Sequence, residues 1–149
     1  MLSYEERKKK TGELGEKLVS RYYRFLGLSV EKTLDKFDNK KDMLVDNKTC
    51  EVKAQQAWHV QNSFAVETDQ LKKCNDVDIL IFVETPSRFN NNTVRLYKMP
   101  KDKREVRTLI TEDNRTMKLF SRNNAILLQI ITNKDIVDEF KLYSSSKWK

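Results

Sequence analysis

The stretch Val77-Asp78-Ile79-Leu80-Ile81-Phe82-Val83 restricts the fold more than any other in this chain. Only Asp78 interrupts a run of aliphatic and aromatic side chains, and the run has the length of a strand rather than a helix. Successive side chains of a strand point to opposite faces, so both faces of this one must be covered. That makes it an inner strand of a mixed sheet with helices packed against it, and the chain reads as α/β.

The region before it supplies a helix and a hairpin. Ser3 followed by Glu6 has the form of a capping box, so a helix begins at Tyr4, with Thr11-Gly12 marking either a break or a second start. Leu14, Leu18, Tyr22, Phe25 and Leu26 then recur at helical spacing as an apolar stripe, and Gly27 ends the helix as a left-handed cap. Glu16 falls at the rim of that stripe, able to look sideways into a cleft. A first strand is expected over 28–33, followed by a polar connection over 34–41. Asp42 to Val45 and Thr49 to Gln55 read as two strands joined by the turn-forming Asp46-Asn47-Lys48.

On the second strand of this hairpin Cys50, Val52 and Ala54 share one face, while Glu51, Lys53 and Gln55 share the other. Pairing brings Asp42 beside Glu51 and Lys53. Two carboxylates about 4 Å apart repel by roughly 4 kcal/mol at an effective dielectric near 20, so the pair calls for a proton, an ammonium or a metal. Carboxylate oxygens suit a hard cation, Mg²⁺ or Mn²⁺. Asp46 is a rival ligand, but the turn is its more natural home.

Asp42, eight residues, then Glu51-Val52-Lys53 resembles the signature of the PD-(D/E)xK nuclease superfamily, with Lys41 where a proline is usual. Gly12-Glu13-Leu14-Gly15-Glu16 followed by Gly27-Leu28-Ser29-Val30 is similar to the opening helix of its compact members, notably archaeal Holliday-junction resolvases. The resemblance covers roughly residues 12–84. It implies a restriction-endonuclease-like α/β/α core and Mg²⁺-dependent hydrolysis of phosphodiester bonds. It also implies that Asp42, Glu51 and the Val52 carbonyl hold one or two ions, with Glu16 completing the acidic ring. Lys53 would orient the attacking water or act as its base, and Gln55 would steady the water or the phosphate. DNA is favoured over RNA because the resembled family mostly cuts DNA. Junction or branch specificity would require a homodimer presenting two sites.

Charge agrees with a polyanionic partner: 29 basic against 22 acidic residues give a formal net charge of +7. Lys40, Lys41, Lys72 and Lys73 are the cations expected to meet nucleic acid, with Trp58 as either a core lid or a base-stacking surface. His59, the single histidine, reads as incidental. Two other readings stay open, a catalytically inactive basic nucleic-acid-binding protein and an RNA endonuclease. No apolar run reaches the ~18 residues of a membrane span and the N-terminus lacks a signal-type apolar centre, so a cytoplasmic location is expected. Cys50 and Cys74 are then reduced, buried thiols.

The rest of the chain completes one domain over 1–149. A short helix capped by Thr68 or Asp69 points Lys72 and Lys73 outward. A loop over 85–92, a strand over 93–99, a helix over 102–110 carrying Lys103, Arg104 and Arg107, and a strand over 125–131 follow. A last helix is capped by Thr132 or Asn133, and Trp148 lies in a loose tail.

Overall fold

A computed structural model describes residues 2–32 and 43–144. In chain order the elements are α1 (Tyr4–Phe25), β1 (Val30–Lys32), β2 (Met43–Val45), β3 (Lys48–Gln55), β4 (Ser63–Glu67), α2 (Thr68–Asp76), β5 (Ile79–Glu84), β6 (Val94–Lys98), β7 (Val106–Ile110), β8 (Thr116–Ser121), β9 (Ile126–Ile131) and α3 (Lys134–Tyr143). The expected α/β class holds. A mixed six-stranded sheet has the order β1-β2-β3-β5-β6-β9, with β3 and β5 parallel and the other neighbours antiparallel. A second sheet has the order β4-β8-β7.

β5 is buried along its whole length. Ile79, Ile81 and Val83 join a core with Leu18, Val19 and Tyr23 of α1 and Val137 and Phe140 of α3. Leu80 and Phe82 enter a second core on the other face, with Phe64 and Val66 of β4, Cys74 of α2 and Phe120 of β8. Phe64 and Phe82 stack with ring centroids 4.6 Å apart. Asp78, the polar interruption of the run, holds the entry to β5, accepting from the backbone N–H and the hydroxyl of Thr49 at 3.1 and 3.2 Å. Burial pushes the Cys74 thiol up to about 11, and both cysteines are buried.

α1 runs unbroken through Thr11-Gly12, opened by the Ser3–Glu6 capping box. Gly27 (φ 86°) closes it: its N–H donates to Arg24 O and that of Leu28 to Tyr23 O. Of the expected stripe Leu18 is buried and Leu14 and Tyr22 pack against the core, with Gly15, Val19 and Tyr23 buried beside them. Phe25 is 91% exposed and Leu26 is also exposed, which corrects that end of the stripe; the helix approaches β3 at Gly15, where an added Cβ would stand 2.9 Å from Ala54 Cβ. The β2–β3 hairpin turns on Asp46 (φ 47°) and Asn47 (φ 66°), the left-handed pair of a two-residue loop. Asp46 Oδ1 accepts from Ser29 N and Oγ at 2.8 and 3.0 Å, so its place is the turn.

The helix expected over 102–110 is absent; Val106–Ile110 is strand β7, paired with β8. Arg104 is buried instead of presented to solvent, and its guanidinium donates to the carbonyls of Met99, Cys74, Asn75, Val77 and Asp78. It thereby satisfies the carbonyl end of α2. Strands β4 and β8 were also unexpected from the sequence. Strands β6 and β9, beyond the region of family resemblance, complete the same sheet. Among the described residues no helix is long and apolar enough to cross a membrane.

Two outcomes follow in chemical denaturation. Gly12, whose added Cβ would meet nothing within 4 Å, gains about 0.5–1 kcal/mol on Gly12→Ala, whereas Gly15→Ala loses about 1 kcal/mol or more despite the same helix propensity gain. Equal stabilisation by both would refute the close α1–β3 crossing. Arg104→Lys is expected to destabilise by about 2–4 kcal/mol, nearly as much as Arg104→Met, because one ammonium cannot reach the carbonyls a planar guanidinium spans.

Candidate functional site

The face of β3 opposite the α1 core carries Glu51, Lys53 and Gln55, as strand alternation requires. Glu51 is 1% exposed, and a carboxylate so buried must be matched by charge. It is matched twice. Lys53 Nζ lies 3.2 Å from Oε1, and Lys73 Nζ, arriving from α2, lies 3.0 Å from Oε2. Lys53 also donates to Gln70 Oε1 at 2.8 Å.

The inward position of Lys73, 19% exposed, corrects its expected outward direction. α2 buries Cys74 against β5, and that rotation turns the neighbouring Lys73 toward β3. Lys72 does point outward, forming a surface pair with Asp76 at 2.7 Å. Gln70 and Lys73 are three residues apart and therefore share a helix face, a signal that would have placed both beside Lys53.

Glu16 is partly exposed on α1, one residue from the Gly15–Ala54 contact, and its ion pair with Lys32 of β1 spans 3.8 Å. Asp42, Lys40 and Lys41 lie outside the described residues, as does Trp148. Met43, the first described residue of β2, stands opposite Cys50, the residue before Glu51. Val52 pairs with Ile81 of β5. Gln55 uses both ends of its amide on one residue: Nε2 donates to Ala65 O and Oε1 accepts from Ala65 N, each at 2.8 Å. Its visible role is to join β3 to the edge of β4.

A cleft of about 670 Å³ opens beside Lys53, bordered by Tyr4, Lys8, Gln55, Trp58 and Arg115. Trp58 packs on the core of the second sheet formed by Ala65, Met117 and Leu119, and its other side borders a further cleft of about 710 Å³. It is thus both a packing residue and a cleft wall. There His59 stacks on Phe89, with ring centroids 4.0 Å apart and planes within 12°.

Two strand positions further along this end of the sheet, Glu84 of β5 stands opposite Gln55. Buried, it accepts from Asn90 at 2.9 Å and pairs with Arg122 at 3.1 Å. Arg122 reaches Tyr97 Oη at 2.9 Å and Asn62 Oδ1 at 3.0 Å, so this pair ties the second sheet to the first.

The donor chemistry of Glu51 suits a hard cation, but the described residues contain no group of three or more His, Cys, Asp or Glu side chains able to hold one. Comparison with protein-family models, with characterised proteins and with solved structures finds no match to this chain.

Lys73→Met leaves a buried carboxylate short of one cation and is expected to lower stability by about 1–3 kcal/mol, measured by urea titration. Lys72→Met, at an exposed pair, should leave the unfolding curve unmoved. The reverse order would place the charge cluster elsewhere.

Proposed function

We propose that the protein is a metal-dependent nuclease that hydrolyses phosphodiester bonds in DNA, and that Glu51, Lys53 and Lys73 form the part of its centre built on β3 and α2. One observation carries the reading: a carboxylate withdrawn from water sits between two ammonium groups, one of which, Lys53, borders an open cleft, on the strand face where the Glu-x-Lys pattern falls. The basic balance of the chain adds to it.

Glu51 and Asp42, with the Val52 carbonyl, are the oxygen donors that would hold Mg²⁺ or Mn²⁺; Glu16, on α1 across β3 from Glu51 and paired with Lys32, belongs to that set only as the family resemblance implies. The chemistry such an ion supplies when bound is acidification of water and neutralisation of charge on the phosphate. Lys53 is the group that orients the attacking water and stabilises the charge developing on the transferred phosphoryl oxygens. Gln70, through its hydrogen bond, holds the Lys53 ammonium at the cleft. Lys73 balances the charge of the buried Glu51 carboxylate. Gln55, by fixing β3 to β4, sets the cleft width rather than touching a phosphate.

The test is nicking of supercoiled plasmid with Mg²⁺ and with EDTA. Wild-type protein nicks only with the metal, Lys53→Ala loses at least ~100-fold in rate while still binding DNA, and Glu51→Ala and Asp42→Ala lose the metal-dependent reaction. Full activity in Asp42→Ala would sink the assignment.

A second reading, a DNA-binding protein without hydrolytic activity, is favoured by the engagement of both Glu51 oxygens by ammonium groups. It predicts salt-dependent binding and no metal-dependent nicking in the same experiment.

A further inference from the structure

The four edges of the two sheets are treated differently. β1 is three residues long and carries Glu31 and Lys32. β7 carries Arg107, and the edge of β4 is occupied at Ala65 by the Gln55 amide. Short length, charge and coverage are the usual protections against pairing with another chain. β9 has none of the three: Ile126-Leu127-Leu128-Gln129-Ile130-Ile131 contains no charged residue, and among the described residues it pairs only with β6.

Three of its apolar side chains are open to water, Ile126 52%, Leu127 43% and Ile130 46% exposed, while Ile131 is buried in the core and Leu128 packs against it. The apolar surface continues onto the end of α1, where Phe25 and Leu26 border a groove of about 570 Å³ shared with Leu128, Ile130 and Ile136. Exposed contiguous apolar surface beside an unpaired strand edge is rare on a monomer.

We infer that β9 is a self-association edge, pairing antiparallel with β9 of a second copy about a two-fold axis. The occupant is specified by symmetry and charge. A chain of net charge +7 repels its own kind, yet a strand without ionisable side chains can pair with itself bringing no charge of its own, with Arg21 the cation that lines the adjoining groove. The register follows from an irregularity between β6 and β9. Leu127 stands opposite Tyr97 and Ile130 opposite Arg95, and since residues 95 and 97 share a face, so do Leu127 and Ile130. A two-fold between Leu128 and Gln129 then sets Leu127 against Ile130 of the second copy, twice. A six-residue strand with one helix end is near the lower limit of lasting interfaces, ~600 Å² per partner, which gives a dissociation constant on the order of micromolar.

This inference stands independently of the nuclease reading. Sedimentation equilibrium on the full chain should show a reversible monomer–dimer equilibrium between about 1 and 100 µM. Leu127→Lys and Ile130→Glu should each weaken it at least ~10-fold with the circular dichroism melt retained, since both side chains are already half in water. The double variant L127K/I130E sets each new ammonium against a new carboxylate and should restore the dimer at low salt. A wild-type monomer at about 100 µM, a dimer indifferent to the single changes, or a double variant no tighter than either single one would overturn it.

Discussion

A strand with no side facing water dictates everything packed around it. Ile79 to Glu84 is buried at every position, and the backbone of such a strand must find partners on both edges and apolar matter on both faces. β3 and β6 provide the first, α1 with α3 and the second sheet with α2 the second. Because β3 and β5 are parallel, the chain cannot return by a tight turn and must cross over. The crossover is made of β4 and α2, and that detour carries Gln70 and Lys73 over the polar face of β3. The charge cluster is in this sense a by-product of how β5 is reached.

The second sheet is held to the first by three kinds of contact. Phe64, Phe82 and Phe120 supply apolar area, the Gln55 amide acts as a short stretch of strand backbone toward Ala65, and Arg122 clamps Glu84. The aromatic contacts are indifferent to small rotations, whereas the amide and the guanidinium are directional. Orientation of the cleft wall therefore rests on a few polar groups, while its attachment rests on buried rings.

What the residues disclose in advance follows the reach of each signal. Local chemistry was legible: the Ser3–Glu6 box, Gly27 at the helix end, Asp46-Asn47 in a tight turn, Asn133 capping the last helix and the alternation of β3. Long-range choices were not. The segment 102–110 carries the charges of a solvated helix, and it is the pairing with β8 that makes Val106–Ile110 a strand. Ser63–Glu67 is buried at every position but its last by neighbours distant in sequence, so neither alternation nor helical spacing reveals it. Arg104 looks like one more surface cation until the open carbonyls of α2 are seen above it. Within the candidate centre, Glu51 and Lys53 follow from alternation, and Lys73 required the rotation of α2.

The cluster at Glu51 is also where the chain departs from what stability alone would select. Taking a carboxylate and parts of two ammonium groups out of water carries a desolvation penalty of several kcal/mol per ion, which their attraction offsets only with near-ideal geometry. Apolar side chains of similar volume at positions 51 and 73, flanked already by Cys74, Leu80 and Phe82, would extend an existing core at no such penalty. Glu84 and Arg122 are a different case, since that pair joins two sheets and has a mechanical use. Glu51 and Lys73 join α2 to β3, whereas the Cys74 and Leu80 contacts hold α2 to the neighbouring β5. A costly polar arrangement between α2 and β3, whose Lys53 borders a cleft, is the physical ground for looking there first for chemistry.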